Sequence, residues 1–277
     1  MDRLSQMLKR FNMYADVFFS GQLCEITEFE EPQGRRGHIH ILKSGSLLLI
    51  HHDGKKQNVG QPSVLFFPTG KKHRIMPDPV KGADVVCATI NYEDVASNPI
   101  TNALPPFLKF QLSRFPELKK SAKWLFKEAF DSKCGRMPMI DRMCDILIIQ
   151  VLREILDSNQ VSHGMLAGLA HPQLANVITQ IHALPEYPWS LEAMAELAFM
   201  SRSKFADLFR DVVGETPGEY LTDWRMSVAQ NALLQGDTVS VVAEKVGYEN
   251  GSALARAFRK KVGVSPKVWQ QQNTKKH

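Results

Sequence analysis

The sequence writes one phrase twice, and no other feature constrains the fold as tightly. FADLFRDVVGETPGEY occupies 205–220 and LARAFRKKVGVSPKVW occupies 254–269. They share Ala206/Ala255, Phe209/Phe258, Arg210/Arg259, Val213/Val262, Gly214/Gly263 and Pro217/Pro266, and each closes on an aromatic residue, Tyr220 or Trp269. Such a phrase marks the end of a helix, a glycine in the left-handed conformation, and a proline that opens the next helix in its first turn.

The surroundings of the two phrases match as well. SLEAMAELAFM opens with Ser190 as an N-cap and places Glu192 in the first turn, where the helix dipole favours an anion. Leu191, Met194, Ala195 and Ala198 share its inner face, and Ser201 is suited to cap a helix over 202–213. In the second copy Val239, Val242, Ala243 and Val246 take the inner positions, Gly247 makes the turn, and SALARAFRKKV is the following helix. Between the copies, 217–236 reads as one long helix carrying Tyr220, Leu221, Trp224, Val228, Ala229 and Leu233. The repeat is therefore one helix–turn–helix module built twice on a shared spacer. In such modules the second helix enters a major groove.

Composition agrees with a soluble chain of two domains: 277 residues, 44% hydrophobic and 23% charged. No apolar run approaches the ~18 residues of a membrane span. The first residues show neither a continuous apolar core nor a small-residue cleavage site, which predicts a cytoplasmic protein with no membrane partner. The net charge of +5 is unevenly placed. Over 239–277, Lys245, Arg256, Arg259, Lys260, Lys261, Lys267, Lys275 and Lys276 face only Glu244 and Glu249, which points to an anionic partner.

To about Tyr92 the chain reads as β. LCEITEF, HIHILKS, SLLLIHH, SVLFFP, HRIMP and DVVCATINY alternate with Gly- and Pro-bearing turns, the pattern of a sandwich or barrel. SNPITNALPP at 97–106 is a break, and the pattern then turns helical. PELKKSAKWLFKEAFD (116–131) is amphipathic. Over 139–157, apolar residues at 140, 143, 144, 147, 148, 151, 152 and 155 form one stripe, suited to a homodimer seam or to packing on the chain's own barrel. The segment 158–170 reads as a linker. The predicted class is α+β: an N-terminal antiparallel β-barrel over 1–100, linking helices over 101–160, and an all-α domain with two helix–turn–helix units over 171–277.

Residues from about 171 to 273 resemble the AraC/XylS family of transcription regulators. GYENGSALARAFRKKVGVSPKVW carries the most specific part, a Gly-aromatic pair, then Phe-Arg, then Gly-x-Ser-Pro-x-x-aromatic. The resemblance implies a regulator of double-stranded DNA, an activator or a repressor acting with RNA polymerase, with a sensing domain ahead of the reader. It implies base contacts from the exposed start of each second helix: Arg202, Ser203, Lys204, Ala206 and Asp207, then Asn250, Gly251, Ser252, Ala253 and Arg256. Arg256 is the best base reader, because a guanidinium pairs with both guanine acceptors. Arg210 and Arg259 suit phosphates or the fold itself, and Lys260 and Lys261 suit phosphates. Ala206 and Asp207 make the first helix the weaker reader.

HIHILKSG and PTGKKH resemble the two halves of a cupin barrel, in the variant fused to regulators of this family. Pro68-x-Gly70-x-x-His73 fits the second half. In the first half the usual metal-ligating Glu is His38, and the usual His-x-His positions fall on Pro32 and Gly34. What remains is His38, His40 and His73. His38 and His40 lie two apart and share a strand face. The three imidazoles can hold a metal or an anionic ligand, or be half-buried polar groups satisfied by the backbone; no cofactor is expected.

Four cysteines, Cys24, Cys87, Cys134 and Cys144, lack metal-site spacing. Cys24 lies on the first candidate strand and Cys87 on the last, strands that a closed barrel can place side by side. An early and a late cysteine on a cupin-type regulator domain resemble a subgroup sensing hypochlorous acid. The alternative is that a free Cys is a small buried hydrophobe, as expected of Cys144. The function expected is a DNA-binding regulator that senses oxidant through Cys24/Cys87. The competing readings are a small molecule or metal at His38/His40/His73, or a cupin enzyme.

Overall fold

The unit formed by Met13–Tyr92 and Leu104–Ile155 is built from strands whose side chains alternate between two faces. The computed structural model describes residues 2–30, 36–92, 98–158 and 161–274. In this unit the described strands are β1 (Met13–Leu23), β2 (Thr27–Phe29), β3 (Arg36–Gly45), β4 (Leu47–His51), β5 (Lys56–Val59), β6 (Ser63–Phe67), β7 (His73–Pro77), β8 (Ala83–Tyr92) and β9 (Leu108–Gln111). All pairings are antiparallel. They form a five-stranded sheet, β1-β8-β3-β6-β9, and a four-stranded sheet, β2-β7-β4-β5. Leu42, Leu65, Val85 and Cys87 of the first sheet share a core with Leu47, Leu49, Val59 and Ile75 of the second. The barrel expected from the sequence is thus two facing sheets.

Two departures from the sequence reading matter for function. β1 was not among the expected strands, and the stretch read as LCEITEF is split. Leu23 ends β1, Cys24–Ile26 lie in no strand, and β2 begins at Thr27. Helix α3 (Pro116–Ala129) follows β9, and α4 (Arg136–Asp157) lies along β1. Asp145 and Asp141 on α4 accept from the backbone N–H groups of Ala15 (2.6 Å) and Val17 (2.8 Å). The α4 stripe that suited a dimer seam is covered within the chain itself: Ile140, Met143, Cys144, Leu147, Ile148, Val151, Leu152 and Ile155 are all buried.

The second unit joins Met1–Asn12, Glu93–Ala103 and Leu156–His277. Its helices are α1 (Ser5–Arg10), α2 (Pro99–Asn102), α5 (Met165–Ala170), α6 (Ala175–Ala183), α7 (Leu191–Leu197), α8 (Arg202–Val213), α9 (Pro217–Leu234), α10 (Val239–Lys245), α11 (Gly251–Val262) and α12 (Pro266–Thr274). The compact units therefore divide differently from the linear segments 1–100, 101–160 and 171–277. The first dozen residues pack with the C-terminal helices. Arg3 pairs with Asp157 at 2.8 Å, the Phe11 ring meets Trp224 edge-on at 5.3 Å, and the Asn231 amide donates to the carbonyl of Arg10. The segment read as a linker contains α5; positions 159 and 160 within it lie outside the described residues. No helix among the described residues is long and apolar enough to cross a membrane.

Candidate nucleic-acid interface and sensor site

The two modules are built alike from local rules. Ser190 accepts from Ala193 N (3.1 Å) to cap α7, and Ser201 accepts from Lys204 N (3.4 Å) to cap α8. In the second module Thr238 caps α10, and Asn250 accepts from Ala253 N (2.9 Å) to cap α11. Gly214 (φ 91°) and Gly263 (φ 88°) end α8 and α11 in the left-handed region, where a side chain would be strained. The repeated aromatics also have a cause. Tyr220 meets Phe209 edge-on at 5.4 Å, and Trp269 meets Phe258 edge-on at 5.9 Å, so each closing ring seals the core of its own module.

Several expected inner residues are buried, among them Met194, Ala195, Ala198, Val242, Ala243 and Val246. Leu191 is not; it lies exposed. The spacer α9 buries Tyr220, Leu221, Trp224, Val228, Ala229 and Leu233. It starts with a capping box that the sequence reading missed, although Thr216-x-x-Glu219 is its signature: Thr216 accepts from Glu219 N, and Glu219 accepts from Thr216 N at 3.1 Å.

The proposed DNA-facing residues divide by their partners. Ser203, Lys204, Arg210, Ser252, Arg256 and Lys260 are exposed, and Gly251 is half-buried at the start of α11. Arg202 is tied to Glu192 at 2.6 Å, and Lys261 to Asp223 at 2.6 Å, so both must exchange a partner to meet a phosphate. Asn250 spends its side-chain carbonyl on the cap and is itself exposed. Phe199, in the turn before α8, is 95% exposed at φ 56°, while the second module uses Gly247 at φ 73° in the same turn. Lys275 and Lys276 lie outside the described residues.

The three histidines do converge. His38 and His40 stand on β3, His73 on β7 of the facing sheet, with ring centroids 5.1–6.0 Å apart. His73 donates from Nδ1 to the Lys71 carbonyl at 2.9 Å, which leaves its Nε2 as an acceptor. The His40 Nε2–H therefore donates to it, also at 2.9 Å, and ties the two sheets together. Phe67 stacks on His73 at 3.7 Å. Burial holds His38 and His73 at about 4 and His40 well below the ordinary 6.5, so all three are neutral. The Nδ1 atoms of His38 and His40 are buried without partners. The His40–His73 hydrogen bond occupies the lone pair a shared ion would need. Among the described residues no group of three or more His, Cys, Asp or Glu side chains is arranged to hold a metal. The donor set as arranged does not fit a cupin metal. Pro32 and Gly34 lie outside the described residues.

The cysteine pairing meets a register problem. β1 and β8 are neighbours, as a barrel requires, but Phe19 lies opposite Cys87 and Leu23 opposite Ala83. Cys24 follows Leu23, so it stands five positions along the ladder from Cys87, roughly 16 Å at ~3.3 Å per residue. A disulfide needs Cα atoms within about 7 Å. Cys24 is exposed. Cys87 and Cys144 are buried, and burial pushes both thiols far up, away from the reactive thiolate.

Residues 2–157 match the family described as Cupin, and residues 194–272 match the family described as Helix-turn-helix domain. The chain is 29% identical to the HTH-type transcriptional regulator AlkR of Acinetobacter baylyi, over 84% of this chain and 87% of that protein. It is 28% identical to the RCS-specific HTH-type transcriptional activator RclR of Escherichia coli K12, over 82% and 81% respectively. The solved structure of ToxT from Vibrio cholerae O395 aligns with a TM-score of 0.40 at 11% identity, over 96% of this chain and 99% of that one.

Proposed function

The chain belongs to the AraC family of transcription regulators that carry an N-terminal cupin domain, and from that premise we propose that α8 and α11 are its two readers of double-stranded DNA. It is a regulator and not an enzyme. One observation carries the assignment: both helices have a side-chain N-cap (Ser201, Asn250), a left-handed glycine stop and an aromatic seal at equivalent positions, and both leave basic residues outward. Such matching ends hold two helices in equivalent poses, each with its N-terminal turn free to enter a groove. Arg256 reads a base, assisted by Asn250, Gly251 and Ser252. Ser203 and Lys204, with Arg202 once released from Glu192, serve the first half-site, and Arg210 and Lys260 hold phosphates. RNA polymerase is the downstream partner of this reading. Footprinting on DNA upstream of the chain's own gene tests it: two protected half-sites, about one helical turn apart, are expected. Protection of a single half-site would remove α8 as a reader.

A second reading concerns the signal. Cys24 is exposed to oxidants, and a relative's name carries an RCS-specific activity. In this reading oxidation starts at Cys24, and Cys87 joins it only if the β1 end leaves its register. Peptide mapping after about stoichiometric hypochlorous acid, beside reporter output for Cys24→Ser and Cys87→Ser, tests it. A full response in the double variant would pass the sensor role to His38, His40 and His73.

A further inference from the structure

A cleft of about 700 Å³ lies wholly within the helical unit, and DNA reading makes no use of it. Glu215 enters from the turn after α8, Asp223, Trp224 and Gln230 from the spacer α9, Lys261 from the end of α11, and Trp269 from α12. The cleft thus touches both modules and the helix between them.

Its charges do not balance. Asp223 is paired with Lys261 at 2.6 Å. Glu215 is a second carboxyl, half-buried and close enough to Asp223 to feel its charge. Burial and the neighbouring Asp223 push Glu215 up to about 7, the behaviour of two acids served by one ammonium. Its polar groups are not all satisfied either. Gln230 is 7% exposed, and no hydrogen bond to its side-chain amide occurs among the described residues. Buried donors in a native structure are usually matched, by the protein or by something it binds.

We propose that this cleft binds a small organic amine. The ammonium sits beside Glu215 and supplies the missing positive charge. The apolar body lies against Trp269 and Met226, and an acceptor atom of the ligand meets the Gln230 amide. The volume falls within the ~300–1,000 Å³ of small-molecule sites, and aromatic walls with a carboxylate are the surroundings that favour an ammonium. An anion of the same shape would face two carboxyl groups.

Phenethylamine, 2-phenylethanol and 3-phenylpropanoate share one apolar body and differ in headgroup, so they separate charge from shape. Titrated into the full chain, each is followed by tryptophan fluorescence, because Trp224 and Trp269 line the cleft. The amine is expected to bind at least about tenfold more tightly than the acid, the size of one charge-assisted contact. Glu215→Gln, isosteric and uncharged, is expected to shrink that ratio below about threefold while the melting temperature stays near that of the unaltered chain. Equal binding of amine and acid, no binding of any probe, or an unchanged ratio in a folded Glu215→Gln overturns the proposal. Should the variant unfold, the headgroup series on the unaltered chain decides alone. DNA footprinting is scored separately, so the failure of either reading leaves the other standing.

Discussion

At the scale of single residues, ion pairing separates the cations proposed to meet DNA into held and free. Arg256 and Lys260 are exposed and have no ion pair among the described residues, whereas Arg202 and Lys261 are held by Glu192 and Asp223. Arg256→Ala is expected to relax preference at one base pair by about 1–3 kcal/mol in competition binding. Lys260→Ala should weaken binding evenly across sequences and lower the log–log salt slope by about 0.9. A base-specific loss from the lysine change, with none from the arginine change, would reverse the two roles. The caps Ser190, Ser201, Gly214 and Gly263 were legible in the sequence because a cap is fixed within four residues of chain. The Lys261–Asp223 pair was not, since it joins residues on different helices that only tertiary packing brings together.

At the scale of elements, α9 joins the two modules, its buried rings Tyr220 and Trp224 fix it in place, and in the proposed reading it is the ruler between α8 and α11. Two glycines inserted after Ser227 would rotate the second module by about 200° and advance it by about 3 Å. Affinity for a full site should then fall far more than affinity for a half-site, measured on both duplexes; equal losses would mean the modules do not bind in tandem. The strands were harder to read than the helices. β1 hid because Tyr14 and Phe18 are exposed, which blurs the polar–apolar alternation a strand search relies on. That error carried forward to Cys24, which a strand over 23–29 would have kept in the sheet. A ladder also fixes which residues stand opposite each other, and the Phe19–Cys87 register is set by partners distant in sequence.

At the scale of the whole molecule, the buried histidines link stability to pH. His38 and His73 sit at about 4 in the fold against 6.5 ordinarily, and His40 lies lower still. Between those values the unfolded chain binds protons that the folded chain refuses, so stability is complete above about pH 6.5 and is lost as pH falls toward 4. A shift of that size corresponds to roughly 3 kcal/mol per histidine. Denaturant unfolding of the cupin unit at a series of pH values should show this slope, and His38→Leu should flatten it; a pH-independent midpoint would remove the histidines from the account. The sequence placed all three on barrel strands, and their convergence follows from that. Their tautomers do not, because the Lys71 carbonyl and the His40–His73 bond exist only once two sheets face each other.

The contacts of Arg3, Arg10 and Phe11 with Asp157, Asn231 and Trp224 set an order of events during synthesis. The ribosome delivers the first dozen residues long before the helices that receive them, and some two hundred residues pass before Trp224 emerges. Arg3, Arg10 and Phe11 must wait for these partners while the cupin strands are made. The helical unit is completed by a segment made well before its other helices. A fragment cut to begin near residue 156 therefore arrives without the piece that packs on its own core.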